Sequence, residues 1–394
     1  MKTIRNTSLS DKVVLIRVDF NVPLDEQQKV TDDSRIRGVL PTVNHAIDQG
    51  AKVVLASHLG RPKGKVVPAF SLKPVAARLE ELVGRRVLMA EECVGEPVER
   101  MIREASAGEI VLLENLRFHP EEEKNDEAFA RSLADLCDVY VNDAFAVSHR
   151  SNASVDAITR FAPESVAGLL MEKELTYFEK AMKDPARPFA AIVGGAKVSG
   201  KLGALKNLMQ NVDRILIGGA MANTFLRARG LATGRSLVET DLVETAREIL
   251  KEAASKGVTL LLPVDVVVAG GLESASGKVV PVEGIPDETM ALDIGPETVE
   301  RYRTALADCG TIVWNGPMGV FEQEAFSSGT MGIARAVADS SALTIVGGGD
   351  TDAAVHRSGV SGKISFISTG GGAFLQLLEG KALPGVQALT RGGG

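Results

Sequence analysis

Cysteine is scarce in this chain: Cys93, Cys137 and Cys309 are odd in number, far apart and without a C-x-x-C pair, which argues against a disulfide framework or a zinc knuckle. A reducing compartment is expected. Basic charge is not in excess either, since 44 Lys and Arg face 51 Asp and Glu for a net charge of −7, so no basic field covers the surface to hold nucleic acid or an anionic membrane. Any cationic site must be local. Long hydrophobic runs are missing too: no apolar stretch approaches the roughly 20 residues of a membrane span, and residues 1–11 are polar, without a signal-peptide core. The expectation is a soluble, cytoplasmic protein. There is no G-x-G-x-x-G, no G-x-S-x-G and no H-E-x-x-H, and His45, His119 and His356 have no metal-ligand spacing, so dehydrogenase, serine hydrolase and zinc hydrolase all lose weight.

What the sequence does contain is a long, ordinary globular composition, 394 residues with 45% hydrophobic, which predicts two domains. Short runs rich in Val and Ile recur between amphipathic stretches, as buried parallel strands do when they alternate with helices. They fall at 13–18, 53–56, 110–113 and 139–141, and again at 190–193, 215–217, 258–262, 311–313, 343–346 and 364–367. Two doubly wound α/β domains with a cleft between them are predicted. Residues 164–183 read as one joining helix, stopped by Pro185 and Pro188. The predicted domains are 1–168, which binds the acceptor, and 169–374, which binds nucleotide; the tail at 392–394 reads as frayed.

The informative residues follow the runs. Asp19 and Asn21, then His58 and Arg61, then Arg117, then Asp143 and Arg150 follow successive runs of the first half. Parallel strands all point one way, so these residues gather on one sheet edge, where open α/β folds bind ligands. On that strand reading Arg35, His58, Arg61, Arg117 and Arg150 form a cationic bowl suited to a small ligand with more than one phosphate or carboxylate. Singly, each arginine reads as a surface or ion-pairing residue, and Asp19 and Asn21 as turn residues; the shared position is what argues for a site.

In the second half the runs lead instead to glycine: Gly194 and Gly195, Gly218 and Gly219, Asn315-Gly316-Pro317, Gly347-Gly348-Gly349-Asp350-Thr351, and Gly370-Gly371-Gly372. Glycines after strands let backbone N–H groups approach an anion, and a helix that starts there turns its positive end to phosphate. Residues 195–202 nearly spell a Walker phosphate loop, but Leu202 stands where the magnesium-binding hydroxyl belongs. Lys197 is placed to neutralise a phosphoryl group in flight and Lys201 to hold a phosphate that stays on the nucleotide. Asp350 suits a magnesium ion that keeps several waters. A P-loop NTPase using Lys201 and a two-lobed anion-binding protein remain the rival readings.

The segments R-V-D-F-N-V-P at 17–23, S-H-L-G-R-P-K-G at 57–64, G-G-A-K-V-S at 194–199, W-N-G-P-M-G-V-F-E at 314–322, G-G-G-D-T at 347–351 and S-T-G-G-G-A at 368–373 together resemble the phosphoglycerate kinase family of the bacterial kind, almost end to end. The resemblance implies reversible transfer of the acyl phosphate of 1,3-bisphosphoglycerate to MgADP, giving 3-phosphoglycerate and MgATP, by direct in-line transfer after hinge closure. It implies Asp19, Asn21, Arg35, His58, Arg61, Arg117 and Arg150 on the three-carbon substrate, with Arg35 also at the reacting group. It implies Lys197 and the backbone of Gly371 and Gly372 at the transferring phosphoryl. Lys201 would hold nucleotide phosphate, Asp350 the Mg2+ and Glu322 the ribose, with Gly194, Gly195, Gly218, Gly219, Asn315, Pro317, Gly349 and Thr351 completing the nucleotide site. It implies a monomer whose residues 375–394 pack back on the first domain, with no nucleic-acid or membrane partner. The chain departs from the family pattern at Ala146, Val147, Gly200 and Phe374.

Overall fold

A computed structural model describes residues 1–106 and 108–391; the glycine tail at 392–394 lies outside the described residues. The chain divides into two compact units, Met1–Leu175 joined by the segment from Ala382 onward, and Thr176–Lys381.

The first unit is built on six parallel strands: β1 (Val13–Arg17), β2 (Lys52–Ala56), β3 (Val87–Met89), β4 (Ile110–Leu112), β5 (Val139–Asn142) and β6 (Ser165–Ala167), in the order β3-β4-β2-β1-β5-β6. Strands β1, β2, β4 and β5 are buried along almost their whole length because helices cover the sheet. The helices are α1 (Ser34–Asp48), α2 (Lys73–Val83), α3 (Glu96–Glu104), α4 (Pro120–Glu123) and α5 (Glu127–Ala134). Local sequence sets their ends. Pro74 sits in the first turn of α2, where its missing N–H costs nothing, and Gly84 closes that helix in the left-handed conformation at φ 63°. The Asp126 carboxylate accepts a 2.9 Å bond from the Phe129 N–H to start α5.

The joining helix is shorter than its sequence pattern predicts. It is α6 (Leu169–Met182), and residues at its expected start form β6 instead. The reason is local: the buried Asp143 carboxylate accepts from the Met171 N–H at 3.0 Å, which fixes the first turn, while Val166 pairs with Val141 as a strand. The unit boundary falls inside α6, between Leu175 and Thr176.

The second unit repeats the plan with β7 (Phe189–Val193), β8 (Arg214–Ile217), β9 (Thr259–Leu261), β13 (Thr311–Asn315), β14 (Leu343–Gly347) and β15 (Phe366–Ile367), parallel in the order β15-β14-β13-β7-β8-β9. Its helices are α7 (Leu202–Leu208), α8 (Met221–Ala228), α9 (Val243–Ser255), α10 (Pro296–Leu306), α11 (Ser328–Ala338), α12 (Gly349–Arg357) and α13 (Gly371–Leu378). Trp314, Tyr302 and Ile333 lie in its core. A three-stranded antiparallel sheet, β10 (Asp265–Ala269), β11 (Lys278–Pro281) and β12 (Met290–Ile294), is an addition that the run pattern does not predict. No described helix is long and apolar enough to cross a membrane.

The last helix, α14 (Pro384–Arg391), packs in the first unit, where the Gly385 N–H donates to the Ser148 carbonyl at 2.9 Å and Leu389 is buried. The return to the first unit therefore begins near Ala382, whereas α13 belongs to the second unit.

Candidate functional site

In each sheet the direction of winding reverses at the centre, between β1 and β5 in the first unit and between β7 and β13 in the second. Such reversals leave a crevice at the carboxyl ends of the strands. Register sharpens it: Arg17 pairs with Ala56 and Asn142, while Val193 pairs with Ile217 and Asn315, and Asn315 with Gly347. The loops therefore leave each sheet at one level.

On the first unit that edge gathers cationic groups around a buried histidine. The His58 imidazole is held well below its usual range, first by burial and then by the guanidinium charges of Arg17, Arg117, Arg35 and Arg150. A neutral ring among four guanidinium groups accepts rather than competes, and its Nδ1 lies 3.3 Å from the Arg17 side chain. Asp19 organises the rim: one carboxylate oxygen accepts from Arg35 at 2.6 Å, the other from the Asn21 N–H at 3.0 Å. The Asn21 carboxamide oxygen accepts from the Gly60 N–H at 2.8 Å, and Arg117 donates to the Gly60 carbonyl at 2.9 Å. Arg117 is itself buried, so its charge is weakly screened. Arg150 is exposed and donates to His149 at 3.3 Å. Arg61 is exposed and forms no side-chain hydrogen bond or ion pair among the described residues, so no contact joins it to this group.

Two members of this edge carry no assigned role in the sequence reading. Arg17, the last residue of β1, is only 1% exposed and donates to Ser154 Oγ at 2.8 Å. His149 is half-buried, and its imidazole is pulled below its usual range by burial, by Arg150 and by Arg117. Their signals were adjacency alone: Arg17 ends a strand run and His149 precedes Arg150. At Ala146 and Val147 the chain makes a tight turn in which Val147 buries against Ala144 and Val155, and the Arg150 N–H bonds back to the Val147 carbonyl at 3.0 Å. The departure from the family pattern thus leaves Arg150 anchored.

On the second unit the edge is backbone. A Cβ added at Gly194 would lie 2.2 Å from the Pro317 carbonyl oxygen, and one at Gly316, already at φ 98°, would lie 2.2 Å from that of Gly194. Only glycine lets these two loops touch. The Gly195 N–H donates to the Pro317 carbonyl and the Gly219 N–H to that of Met318, at 3.0 and 2.8 Å; Gly218 lies against Met318. The Asn315 carboxamide donates to the Gly347 carbonyl at 2.7 Å and accepts from Lys201. Thr351 is buried with its hydroxyl accepting from the Gly316 N–H at 2.7 Å. Burial pushes the Lys201 ammonium down to about 8, against the opposing pull of Asp350 and Glu379.

Helices α12 and α13 begin side by side: a Cβ on Gly371 would sit 3.3 Å from the Gly349 N–H nitrogen. Two helix N-termini, with Gly349 and Gly372 in their first turns, thus present unsatisfied N–H groups and positive dipole ends together. Phe374 holds this arrangement from below. Its ring fills the space over Gly347, where a Cβ would lie 2.1 Å from it, and it meets Phe178 edge-on at 6.2 Å. Lys197 is exposed on the loop after β7. Nearby, burial pushes the Glu239 carboxyl up, but bonds from Ser199 and the charge of Lys197 bring it below its usual value, and Glu239 pins the loop through the Ser199 N–H at 3.0 Å. Asp350 is exposed in the first turn of α12, and Gly200 is exposed and uncrowded. Glu322 is exposed, its backbone carbonyl held by Arg357 at 2.9 Å.

Guanidinium groups on one unit and paired helix N-termini on the other are the chemistry of two polyanions, one small and one nucleotide-like. The family model described as phosphoglycerate kinase matches residues 4–381. Curated relatives named phosphoglycerate kinase include one from Desulfosudis oleivorans, 59% identical with 99% of both chains covered, and one from Geotalea uraniireducens, 58% identical with 98% of this chain and 97% of the relative covered. Among solved structures, phosphoglycerate kinase from Coxiella burnetii superimposes with a TM-score of 0.89 at 42% identity, covering 99% of this chain and 98% of that one. The enzyme from Pyrococcus horikoshii does so with 0.87 at 35% identity, covering 100% and 99%.

Proposed function

The chain belongs to the phosphoglycerate kinase family, and from that premise we propose how its own residues divide the work. The reaction is the reversible transfer of the acyl phosphate of 1,3-bisphosphoglycerate to ADP, giving 3-phosphoglycerate and ATP, a glycolytic kinase step. The observation that carries the assignment is the pairing of His58 with four surrounding guanidinium groups, a site for an acceptor that bears both a phosphate and a carboxylate. Arg61, Arg117 and Arg150 hold the charged end of the three-carbon substrate, and Asp19 and Asn21 take its hydroxyl while fixing Arg35. Arg35, ion-paired to Asp19 and still 35% exposed at its side chain, reaches the reacting carboxyl-phosphate.

On the nucleotide, Gly194, Gly195, Gly218, Gly219, Asn315 and Pro317 line the site, Glu322 takes the ribose, and Lys201 holds a phosphate that does not transfer. Gly349 and Thr351 shape the first turn of α12. Lys197 and the N–H groups at Gly371 and Gly372 neutralise the charge on the phosphoryl in flight. A loose phosphoryl transition state asks for position and charge more than for covalent chemistry, and no phosphoenzyme is needed. An acyl phosphate hydrolyses readily, so water must be excluded while transfer proceeds.

The donor set at Asp350 fits magnesium: one exposed hard carboxylate, leaving the remaining positions to water and nucleotide phosphates. When bound, the ion supplies neutralising charge to the phosphate oxygens. We further infer a cytoplasmic monomer. The test is a coupled assay with MgATP and 3-phosphoglycerate, each also supplied alone. ADP should form only when both are present, and equal ATP hydrolysis without 3-phosphoglycerate would return the assignment to a P-loop NTPase.

A further inference from the structure

On the loops after β3 and β4, away from the centre of the first unit's edge, Glu92, Cys93 and His119 bring a carboxylate oxygen, a thiol sulfur and an imidazole nitrogen within 4.8 Å of one another. We propose that these three side chains form a binding site for a zinc-class divalent cation, with solvent in the fourth position. The site is independent of the nucleotide and substrate assignments.

The donors come from two loops at neighbouring strand ends. Glu92 and Cys93 follow β3; His119 follows β4 and precedes α4. Cys93 and His119 are far apart in sequence, so no spacing search pairs them. The scaffold holds them in place: the Glu114 N–H donates to the Glu92 carbonyl at 3.3 Å, which ties the two loops together. The His119 ring stacks on Phe129 with centroids 5.2 Å apart and an interplanar angle of 24°, and its Nε2 lies 2.9 Å from a Glu92 oxygen. Tetrahedral zinc places neighbouring ligand atoms roughly 3.3 Å apart, so this contact needs only a slight opening to admit the ion. Thiolate, imidazole and carboxylate are the donor types that zinc prefers, whereas a hard ion such as magnesium avoids sulfur.

Carboxylates gather around the sulfur: Glu92 is one of the three donors, and Glu114, tied to the Glu92 carbonyl through its own N–H, adjoins it, so a divalent ion meets negative charge there. On binding, the ion forms the metal–sulfur bond, the S–H bond breaks heterolytically and the proton leaves to solvent, with no change of oxidation state. Access runs over Glu92 and His119, whose side chains are 52% and 30% exposed. A cleft of about 620 Å³ between β3 and α3, lined in part by Glu91 and Glu92, opens beside it. Because His119 lies two residues past Arg117, an ion there would tether the segment that carries this arginine.

The experiment titrates the metal-stripped full chain with Zn2+ against a chromophoric chelator and, in parallel, with Co2+ as a spectroscopic probe. One equivalent should bind, with a thiolate-to-cobalt charge-transfer band in the near ultraviolet and release of a proton. Cys93→Ser should abolish the band, and His119→Gln and Glu92→Gln should each weaken Zn2+ binding by at least about tenfold, while Cys137→Ser changes neither. The Glu92→Gln change is on an exposed side chain, so it keeps the test open should Cys93→Ser fail to fold. Zn2+ binding that is unchanged in the Glu92 and His119 variants, or a cobalt spectrum without the sulfur band, would overturn the proposal.

Discussion

The Lys201 ammonium donates to the Asn315 carboxamide oxygen, and that bond joins the loop after β7 to the end of β13 at the reversal of the second sheet. The amine pays for this position with solvation, and burial brings it down to about 8 from 10.5. On the proposed assignment a nucleotide phosphate beside it would favour the charged form, so nucleotide binding would raise its proton affinity. ADP affinity should therefore fall as pH rises from 7 to 9, and binding near pH 8 should take up protons, read as a buffer-dependent calorimetric enthalpy. Between about 8 and 10.5 the unfolded lysine holds more protons than the folded one, so this group contributes stability that rises with pH across that window. Lys201→Arg, which cannot deprotonate, should flatten the affinity profile.

Phe374 and Gly347 fit as ring and hollow, and a methyl group at 347 would lie 2.1 Å from the ring. Gly347→Ala should destabilise the protein by about 1–3 kcal/mol through overpacking. Phe374→Ser alone should cost roughly 3–5 kcal/mol by emptying a buried site. The pair should cost less than the sum, because the small side chain at 374 vacates the space that the added methyl group fills. Chemical denaturation of the four proteins measures the coupling, and strict additivity would refute the fit.

The alternation of Val-rich runs with polar helices marked out both parallel sheets and, through strand direction, the strand-end edges on which the candidate site residues lie. Residues such as Arg117 and Asp350 were legible because a residue just after a parallel strand has little choice of edge. What was not legible depends on contacts distant in sequence. Asp143 determines where α6 starts through the Met171 N–H, and no local signal distinguishes Ser165–Ala167 as a strand from a first helical turn. Strand β11 is largely exposed and, among the described residues, pairs only with β10, so it lacks the apolar run of a buried strand. Arg17 passed as a strand residue because the partner that admits a buried guanidinium, Glu122, lies on α4, more than a hundred residues away.

That pair yields a second energetic prediction. Arg17 and Glu122 are both essentially fully buried, 3.9 Å apart, and share Ser154, whose hydroxyl donates to Glu122 at 2.6 Å and accepts from Arg17 at 2.8 Å. Removing one charge strands the other. Arg17→Met and Glu122→Leu should each cost about 3–5 kcal/mol, whereas the double variant should be no worse than either single one. Thermal unfolding of the set decides it. Two single losses that simply add would mean that the ion pair is not what holds these groups.

The two lysines of the glycine loop should fail in different ways. Lys197 is exposed on the loop that Glu239 pins through Ser199, free to meet charge that exists only during transfer, whereas Lys201 is sequestered against Asn315 and suited to a phosphate that is always present. An interaction made only in the transition state lowers kcat when lost and leaves ground-state binding alone. Lys197→Ala should thus reduce kcat by roughly two or more powers of ten with ADP affinity nearly unchanged. Lys201→Ala should weaken ADP binding, and its loss should appear largely in KM. Steady-state kinetics in both directions, paired with equilibrium ADP titration, separates the two. Near-normal turnover in Lys197→Ala would remove that lysine from the reaction, and equal losses of ADP affinity in both variants would erase the distinction between a transferring and a resident phosphate.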